Sequence, residues 1–281
     1  MKDIMTLKDK TGAGIKDCKE ALEKCGGNIE KAIALLREKG IASAAKKADR
    51  IAAEGAVGVF GNIMVEVNCE TDFAGKSDKF QDLVKKIAEH IAASTAQSVE
   101  LLLKETHKKD KKTIQEIVTE ATATIGEKIS IRRFERIAAA NAMVGAYSHF
   151  GKIGVLVEMT GKDADLAKNV AMQIAASNPL YVDETQVPKV ELEKERDILR
   201  KKAKAEKKPD AIIEKMLDGQ VKKYYADVCL VHQPFIKDPS KKISDILGGV
   251  KVLRFTRFEL GEGIEKKSED FAEEVKKASK A

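Results

Sequence analysis

The chain contains the stretch Gly55-Ala-Val-Gly-Val-Phe-Gly-Asn-Ile-Met-Val-Glu-Val67 and, 90 residues later, Gly145-Ala-Tyr-Ser-His-Phe-Gly-Lys-Ile-Gly-Val-Leu-Val157. Seven positions are identical between the two stretches. In the first stretch, apolar residues alternate with a period of two on both sides of Phe60-Gly61-Asn62. That alternation around a short turn is typical of a β-hairpin. The sequence therefore predicts a hairpin that occurs twice in the chain.

The similarity continues beyond the hairpins. Residues 82–94 resemble residues 165–177, and Ile131-Arg-Arg-Phe-Glu-Arg136 resembles Val252-Leu-Arg-Phe-Thr-Arg257. Each copy thus has the order hairpin, helix, connecting segment and strand. The repeat is far longer than the 20–50 residues of a solenoid, so the pattern predicts a duplicated α+β unit with antiparallel sheets.

The two copies differ in length at one corner. The offset between them falls from 90 residues at the hairpin to 83 at the helix, so the first copy carries seven extra residues around Thr71-Asp72-Phe73. Strand-to-helix corners are common positions for functional residues. Two interpretations are open. Thr71 or Asp72 caps a turn and Phe73 packs into the core, or Phe73 is an apolar wedge for a partner's pocket with a carboxylate at its rim.

The segments that are not shared by the two copies are predicted to be mainly helical. Residues 1–40 predict three short helices, the third beginning after the N-cap Asn28 and ending before Gly40. Residues 41–53 predict a helical or extended connector. Two helices joined by Lys207-Lys208-Pro209 predict an antiparallel arm within the second copy, and an amphipathic helix with Phe271 and Val275 follows Gly261-Glu-Gly263.

Composition narrows the class of protein. Hydrophobic residues make up 43% of the 281 residues, which is enough for real cores, and charged residues make up 34%, which indicates a highly solvated surface. No apolar run approaches the roughly 20 residues that cross a bilayer, and the first residues lack an export signal. We therefore expect no membrane partner and a cytoplasmic location.

Catalytic and metal-binding motifs are absent. The sequence has no phosphate-binding loop, nucleophile elbow or zinc-protease motif. Cys18, Cys25, Cys69 and Cys229 are too few and too scattered for a disulfide framework or a zinc clip, so we expect them in the core. These observations predict a protein-binding factor, with no enzymatic activity, cofactor or metal site of its own.

Two other classes remain open. The net charge of +6 and the lysines between Lys201 and Lys208 are compatible with a basic ribosome- or RNA-binding protein. An enzyme whose site is assembled from distant residues also leaves no local motif. Acidic residues follow basic ones almost everywhere, and this mixture favours an ordinary solvated surface over nucleic-acid binding.

Six collinear motifs make the chain resemble the bacterial elongation factor Ts family over essentially its whole length. The motifs are Leu7-Lys-Asp-Lys-Thr-Gly-Ala-Gly-Ile-Lys-Asp-Cys-Lys-Glu-Ala-Leu22, Glu66-Val-Asn-Cys-Glu-Thr-Asp-Phe73, Gly151-Lys-Ile-Gly-Val-Leu-Val157, Ile174-Ala-Ala-Ser-Asn-Pro179, Gln233-Pro-Phe-Ile-Lys-Asp-Pro-Ser240 and Gly261-Glu-Gly-Ile-Glu265.

The resemblance implies a function and a set of site residues. It implies a guanine nucleotide exchange factor for the GTPase elongation factor Tu, which itself carries the GDP or GTP and the Mg²⁺. A homo-oligomer is possible but not required. The segment that dislodges the partner's Mg²⁺ would be Thr71, Asp72, Phe73 and Ala74. The N-terminal residues that bind the partner would be Lys8, Gly12, Ala13, Gly14, Ile15 and Lys16.

The chain departs from the family's pattern at four places. Ile15-Lys16 stands where the family commonly has two methionines, Lys8 where it usually has arginine, and Asn169 where a histidine is common. Ala74-Gly75 replaces the usual Val-Ala, and the glycine is expected to loosen the backbone after the wedge.

The resemblance also implies a division of the chain. The predicted class is α+β, with a UBA-like (ubiquitin-associated-like) three-helix bundle, a duplicated core, an inserted coiled-coil hairpin and a C-terminal helical module. The predicted segments are the bundle at 1–40, a linker at 41–54, the first copy at 55–140, the second copy at 141–186 and 227–258, the arm at 187–226 and the C-terminal module at 259–281.

Overall fold

The computed structural model describes residues 1–138, 142–205 and 210–265. The chain divides into two compact units. The first contains residues 1–58, 65–134 and the segment from Glu259 onward, and the second contains residues 59–64 and 135–258. Within the described ranges, no helix has both the length and the apolar character that a membrane span requires.

The first unit begins with three helices. They are α1 (Lys2–Thr11), α2 (Ile15–Lys24) and α3 (Ile29–Lys47). Their shared core consists of Leu7, Cys18, Ala21, Leu22 and Ala32. The Asn28 side chain accepts a hydrogen bond from the Lys31 backbone N–H at 2.9 Å, which confirms the predicted N-cap of the third helix.

The first copy of the duplicated unit, which follows these three helices, surrounds one buried strand. Its sheet has the order β1-β2-β5, and the central strand is buried at every position. The elements are β1 (Glu54–Phe60), β2 (Ile63–Cys69), α4 (Asp72–Lys76), α5 (Asp78–Ala93), α6 (Val99–Lys104), β3 (Thr106–His107), β4 (Lys112–Thr113), α7 (Ile114–Ile125) and β5 (Ser130–Arg136).

Helix α3 is longer than the sequence predicts. The expected end before Gly40 is wrong, because the helix continues through Gly40 to Lys47 and packs against α7. A Cβ atom on Gly40 would lie 3.1 Å from the Cβ of Ala123. Glycine disfavours a helix interior by about 1 kcal/mol, but here its missing side chain lets two helices approach closely. Tertiary packing therefore overrides the local signal, and the first part of the predicted linker is helical.

The second unit repeats the same arrangement. Its sheet has the order β10-β7-β6, with the second hairpin strand again central. The elements are β6 (Met143–His149), β7 (Ile153–Met159), α8 (Ala164–Ser177), α9 (Lys189–Ala205), α10 (Asp210–Val228), β8 (Pro234–Phe235), β9 (Asp238–Lys242), α11 (Ile243–Ile246) and β10 (Val252–Glu259).

The duplication and the α+β class are confirmed. The β6–β7 hairpin is antiparallel, with Met143 opposite Met159 and His149 opposite Ile153. Helix α8 packs on this sheet through residues such as Val170 and Ile174. In the first copy the short helix α4 lies between the central strand and the long helix, whereas in the second β7 leads to α8 without one. The seven extra residues therefore form a structural element of their own.

Other predictions fare differently. Helices α9 and α10 contact each other, as an arm requires, but the connecting residues Lys207-Lys208-Pro209 lie outside the described residues. The predicted C-terminal helix with Phe271 and Val275 also lies outside them. The division into six segments, including the UBA-like and coiled-coil assignments, stays a prediction.

The cysteines behave as core residues. All four lie in the described ranges with free thiols, three of them buried and Cys25 partly buried. Burial, reinforced by nearby carboxylates, raises the pKa of Cys69 to about 12 and that of Cys229 to about 11. Both thiols therefore stay protonated at neutral pH and lack the thiolate that reactive cysteines need.

We predict opposite effects for alanine at two glycines of the second unit. A Cβ on Gly145 would lie 2.7 Å from the Ala167 carbonyl oxygen, so Gly145→Ala should destabilise the protein by about 1–3 kcal/mol through overpacking. A Cβ on Gly219 of α10 would meet no heavy atom within 4 Å, so Gly219→Ala should stabilise by about 0.5–1 kcal/mol. Urea unfolding of both variants measures the two changes, and equal signs would contradict the packing described here.

Candidate functional site

The extra element of the first copy presents a phenylalanine to solvent. Thr71 is the N-cap of α4, and its hydroxyl accepts a hydrogen bond from the Ala74 N–H at 3.2 Å. The following Ala74 and Gly75 are buried, but the side chain of Phe73 is 83% exposed. The local interpretation is therefore right about the Thr71 cap and wrong about Phe73, which does not enter the core.

Gly75 fixes α4 closely on the sheet. A Cβ on Gly75 would lie 3.0 Å from the Cα of Gly55, at the start of β1. The Gln81 side-chain amide donates a hydrogen bond to the Gly75 carbonyl at 2.6 Å. The glycine thus permits a tight contact between two backbones, and the expected loosening of the backbone stays a prediction.

Asp72 is paired within the same helix. The Lys76 ammonium lies 2.6 Å from the Asp72 carboxylate, one turn further along α4. The ion pair therefore lies on the same five-residue helix as the exposed ring of Phe73. The carboxylate that follows the cap is also favourably placed at the N-terminal end of a helix.

Glu127 holds the backbone that leads into α4. One oxygen of its carboxylate, Oε2, accepts hydrogen bonds from the backbone N–H groups of Glu70 at 3.1 Å and Thr71 at 2.9 Å. The other oxygen, Oε1, accepts a hydrogen bond from the Thr71 hydroxyl at 2.6 Å. Glu127 could not be identified from the sequence, because it lies 56 positions from Thr71 and no local pattern links the two.

Glu70 makes the reciprocal contact. Its carboxylate accepts a hydrogen bond from the Lys128 backbone N–H at 2.6 Å and pairs with the Arg50 guanidinium at 3.2 Å. The Lys128 ammonium in turn donates a hydrogen bond to the Arg50 carbonyl at 2.7 Å. The segments 70–71 and 127–128 therefore hold each other through two carboxylates.

The N-terminal residues implied in partner binding lie on α1, α2 and the turn between them. Gly12 ends α1 in a left-handed conformation (φ +69°), and Gly14 precedes α2. Ile15 is 54% exposed, and Gly14 and Lys16 are also exposed. The remaining three, Lys8, Gly12 and Ala13, are only partly exposed.

This turn borders a cavity of about 530 Å³ within the first unit. Its walls come from the α1–α2 turn, from α3 through Leu36 and Arg37, and from α7 through Glu116 and Thr124. Arg37 and Glu116 form an ion pair in that wall.

Comparison with known proteins resolves the family. A sequence model described as Elongation factor TS matches residues 70–262, which is more than half of the chain. The chain belongs to the elongation factor Ts family. It is therefore an elongation factor of protein biosynthesis.

Proteins named Elongation factor Ts are similar to the chain over almost its full length. The one from Halothermothrix orenii is 47% identical, with 99% of this chain and 97% of that protein covered. The one from Thioalkalivibrio sulfidiphilus is 47% identical, with coverages of 97% and 95%. The one from Clostridium perfringens is 46% identical, with coverages of 98% and 97%.

The elongation factor Ts motif from Glu66 to Phe73 also contains a buried charge. Glu66 lies on β2 with no exposed surface, and its carboxylate contacts Arg132 at 3.0 Å and Arg133 at 2.7 Å. The Gly261 N–H donates a third hydrogen bond at 2.8 Å. Burial alone raises the pKa of this carboxyl, but the Gly261 hydrogen bond and the two guanidinium groups outweigh it and hold the pKa below its usual value.

The same contacts attach the C-terminal segment to the first unit. Arg132 donates a hydrogen bond to the Glu262 carbonyl, and Arg133 pairs with the Glu262 carboxylate at 3.1 Å. A charge without exposed surface thus links β2, β5 and the segment after β10. Among the described residues, no group of three His, Cys, Asp or Glu side chains is arranged to hold a metal ion; the expected absence of a cofactor stays a prediction.

We predict a pH-dependent role for Glu66 in stability. Its folded pKa lies below the unfolded value of about 4.3, so its stabilisation is present above that pH and is lost as the pH falls through the folded pKa. Glu66→Gln should lower the free energy of unfolding by about 2–3 kcal/mol at pH 7, because two guanidinium groups lose a charged acceptor. Denaturant unfolding at pH 7 and pH 3 should show a smaller difference from wild type at the lower pH, and a constant difference would contradict the assignment.

Proposed function

We propose that the chain is a guanine nucleotide exchange factor for elongation factor Tu, and that Phe73 with Asp72 acts on the partner's nucleotide and Mg²⁺ site. The observation that carries the proposal is the exposed ring of Phe73 on a helix whose next two residues are buried. Family membership supplies the partner.

Nucleotide exchange requires that the factor bind two states of the GTPase with different affinity; no covalent bond has to be made or broken. An exchange factor must bind the nucleotide-free GTPase more tightly than the nucleotide-bound form, and by linkage it weakens the nucleotide by the same factor. A hundredfold effect corresponds to about 2.7 kcal/mol. Burial of one Phe side chain contributes roughly 1.5–3 kcal/mol, and most of the Phe73 surface is free to be buried. One ring can therefore supply much of the coupling.

The partner's Mg²⁺ is a sensitive target for such a wedge. Mg²⁺ in GTPases bridges phosphate oxygens to protein side chains and requires near-ideal octahedral geometry. A small displacement of its surroundings therefore weakens nucleotide binding. Asp72 adds a carboxylate beside the ring that can accept hydrogen bonds at the rim of the pocket, in exchange for its contact with Lys76.

The structure of α4 suits this task because the wedge is pre-ordered. The Thr71 cap and the buried Ala74 and Gly75 fix the helix before any partner is present. Less conformational freedom is then lost on binding. The alternative of a ribosome- or RNA-binding protein depends on the lysines between Lys201 and Lys208, of which Lys207 and Lys208 lie outside the described residues. No observation favours this alternative.

We predict that Phe73→Ala separates binding from exchange. The side chain makes little contact within the free protein, so the melting temperature should stay within about 2 °C of wild type. The acceleration of GDP release should fall by about tenfold or more, since a lost Phe burial of 1.5–3 kcal/mol corresponds to at least that factor. Release of a fluorescent GDP analogue from elongation factor Tu measures the effect.

The matched control is Leu101→Ala. Leu101 is another large apolar residue of the first unit that is more than half exposed, but it lies on α6. It should leave the release rate unchanged. An unaltered rate in Phe73→Ala would refute the wedge, and a similar loss in both variants would show that any exposed apolar residue has this effect.

We also predict a kinetic role for the N-terminal lysines. Charges at the surface act mainly on encounter rates. Lys16 is exposed and Lys8 is partly exposed, so Lys8→Gln and Lys16→Gln should slow association with elongation factor Tu and flatten its dependence on salt. Maximal GDP release at saturating factor should change little. Stopped-flow association from 25 to 300 mM salt tests this, with Lys109→Gln on the exposed segment after β3 as the charge-matched control. Unchanged association in both N-terminal variants would exclude the assignment.

A further inference from the structure

We propose that Glu127 is the positioning residue of the exchange site, which sets the direction in which α4 presents Phe73. This inference rests on the proposed function, because it names a residue that acts through Phe73 and not on the partner. Glu127 lies after α7, far from the wedge in sequence, and its carboxylate is the common acceptor for three donors of segment 70–71.

The first step of the argument is the geometry of those contacts. The two backbone N–H groups belong to consecutive residues, and both donate to the same oxygen, Oε2. They therefore fix the orientation of two consecutive peptide planes, the one before Glu70 and the one between Glu70 and Thr71. The Thr71 hydroxyl donates to Oε1 and at the same time accepts from the Ala74 N–H inside α4. One carboxylate thus determines both the chain direction before the helix and the rotamer of the helix cap.

The second step is that Glu127 itself is held. Gly126 ends α7 in a left-handed conformation (φ +88°), with its N–H donating to the Thr122 carbonyl at 3.0 Å. Lys128 is tied to Glu70 by its backbone N–H, and Ile129 is buried. The backbone on both sides of Glu127 is therefore fixed to the core. Because its backbone is fixed, the Glu127 carboxylate can determine the position of the segment that it binds.

The third step is the consequence for Phe73. The helix α4 has only five residues, so its own hydrogen bonds contribute little to its direction. Gly75 anchors its far end on Gly55, and Glu127 anchors its near end. Without the Glu127 contacts the near end keeps the Glu70–Lys128 hydrogen bond but loses the three hydrogen bonds that orient segment 70–71. The helix can then pivot about the far anchor, and the exposed ring moves with it. Displacements of about 1 Å at a reacting site can cost as much as a hundredfold in rate.

Glu127→Gln tests the inference with an isosteric change. Its side-chain NH₂ cannot accept the hydrogen bonds that one carboxylate oxygen accepts, so at least one of the three contacts is lost. Glu89→Gln is the matched control, because Glu89 is an exposed glutamate of the same unit for which the described residues show no hydrogen bond or ion pair. Both variants remove one negative charge.

The first measurement uses the free protein. We expect amide hydrogen exchange at Glu70 and Thr71, followed by NMR, to be at least tenfold faster in Glu127→Gln than in wild type, with unchanged exchange in the core of β2. Glu89→Gln should exchange as wild type does. Unchanged exchange at Glu70 and Thr71 in Glu127→Gln overturns the inference, whatever the activity of the variant.

The second measurement uses GDP release from elongation factor Tu at increasing factor concentration. We expect the saturating release rate of Glu127→Gln to fall at least fivefold, while the concentration at half saturation changes less than twofold. A purely structural loss would instead raise that concentration, because less folded factor is present. In a Phe73→Ala background the added Glu127→Gln should have no further effect, since a positioning residue acts through the ring.

The outcomes separate this inference from the proposed function. If Phe73→Ala slows release but Glu127→Gln does not, the positioning role is wrong and the wedge stands. If the two losses multiply in the double variant, Glu127 acts independently of Phe73 and the positioning role is again wrong. If Phe73→Ala leaves release unchanged, the proposed wedge fails, and a role for Glu127 in directing it fails with it.

Discussion

The central strand β2 is buried at every position, so its polar groups depend on partners inside the protein; among the described residues, only the Asn68 side-chain oxygen on this strand is buried without one. This constraint organises much of the first unit. The Glu66 carboxylate pairs with Arg132 and Arg133 and accepts a hydrogen bond from the backbone of the C-terminal segment. Asn68 donates a hydrogen bond to the Glu54 carbonyl at the start of β1. Cys69 donates through its thiol to the Thr71 carbonyl at 3.1 Å. The strand thus leads directly into the corner that carries the exposed ring.

The two copies use the same glycine position for a similar purpose. Gly55 and Gly145 occupy matching places in the two hairpins. At Gly55 the backbone of α4 approaches through Gly75, and at Gly145 the backbone of α8 approaches through Ala167. A Cβ on Gly145 would lie 2.7 Å from the Ala167 carbonyl oxygen of α8, whereas a Cβ on Gly55 would collide with the Val67 carbonyl of β2. In the first copy the close approach of helix and strand depends instead on Gly75 of α4, where a Cβ would lie 3.0 Å from the Gly55 Cα.

Sequence alone predicted the parts that depend on local or repeated patterns. The duplicated hairpin, the Asn28 cap and the position of the extra element all follow from spacing and from comparison of the copies. The length of α3 did not, because its continuation through Gly40 depends on contact with Ala123. The role of Glu127 could not be predicted from the sequence either, because its hydrogen-bond partners lie more than 50 residues away in the chain. The sequence did not decide whether Phe73 is exposed, since the segment Thr71-Asp72-Phe73 is compatible both with a core residue and with an exposed wedge.

An exposed aromatic ring also carries a risk of self-association. Large apolar patches on soluble proteins mark sites of binding or of aggregation. Here Asp72 and Lys76, which lie one helical turn apart on the same short helix, form an ion pair at 2.6 Å. Charged neighbours of this kind act as gatekeepers in aggregation-prone segments, because association would have to strip water from them. The ion pair on α4 can therefore make Phe73 selective, admitting it to a pocket with polar groups at its rim and keeping it out of contacts with other apolar surfaces.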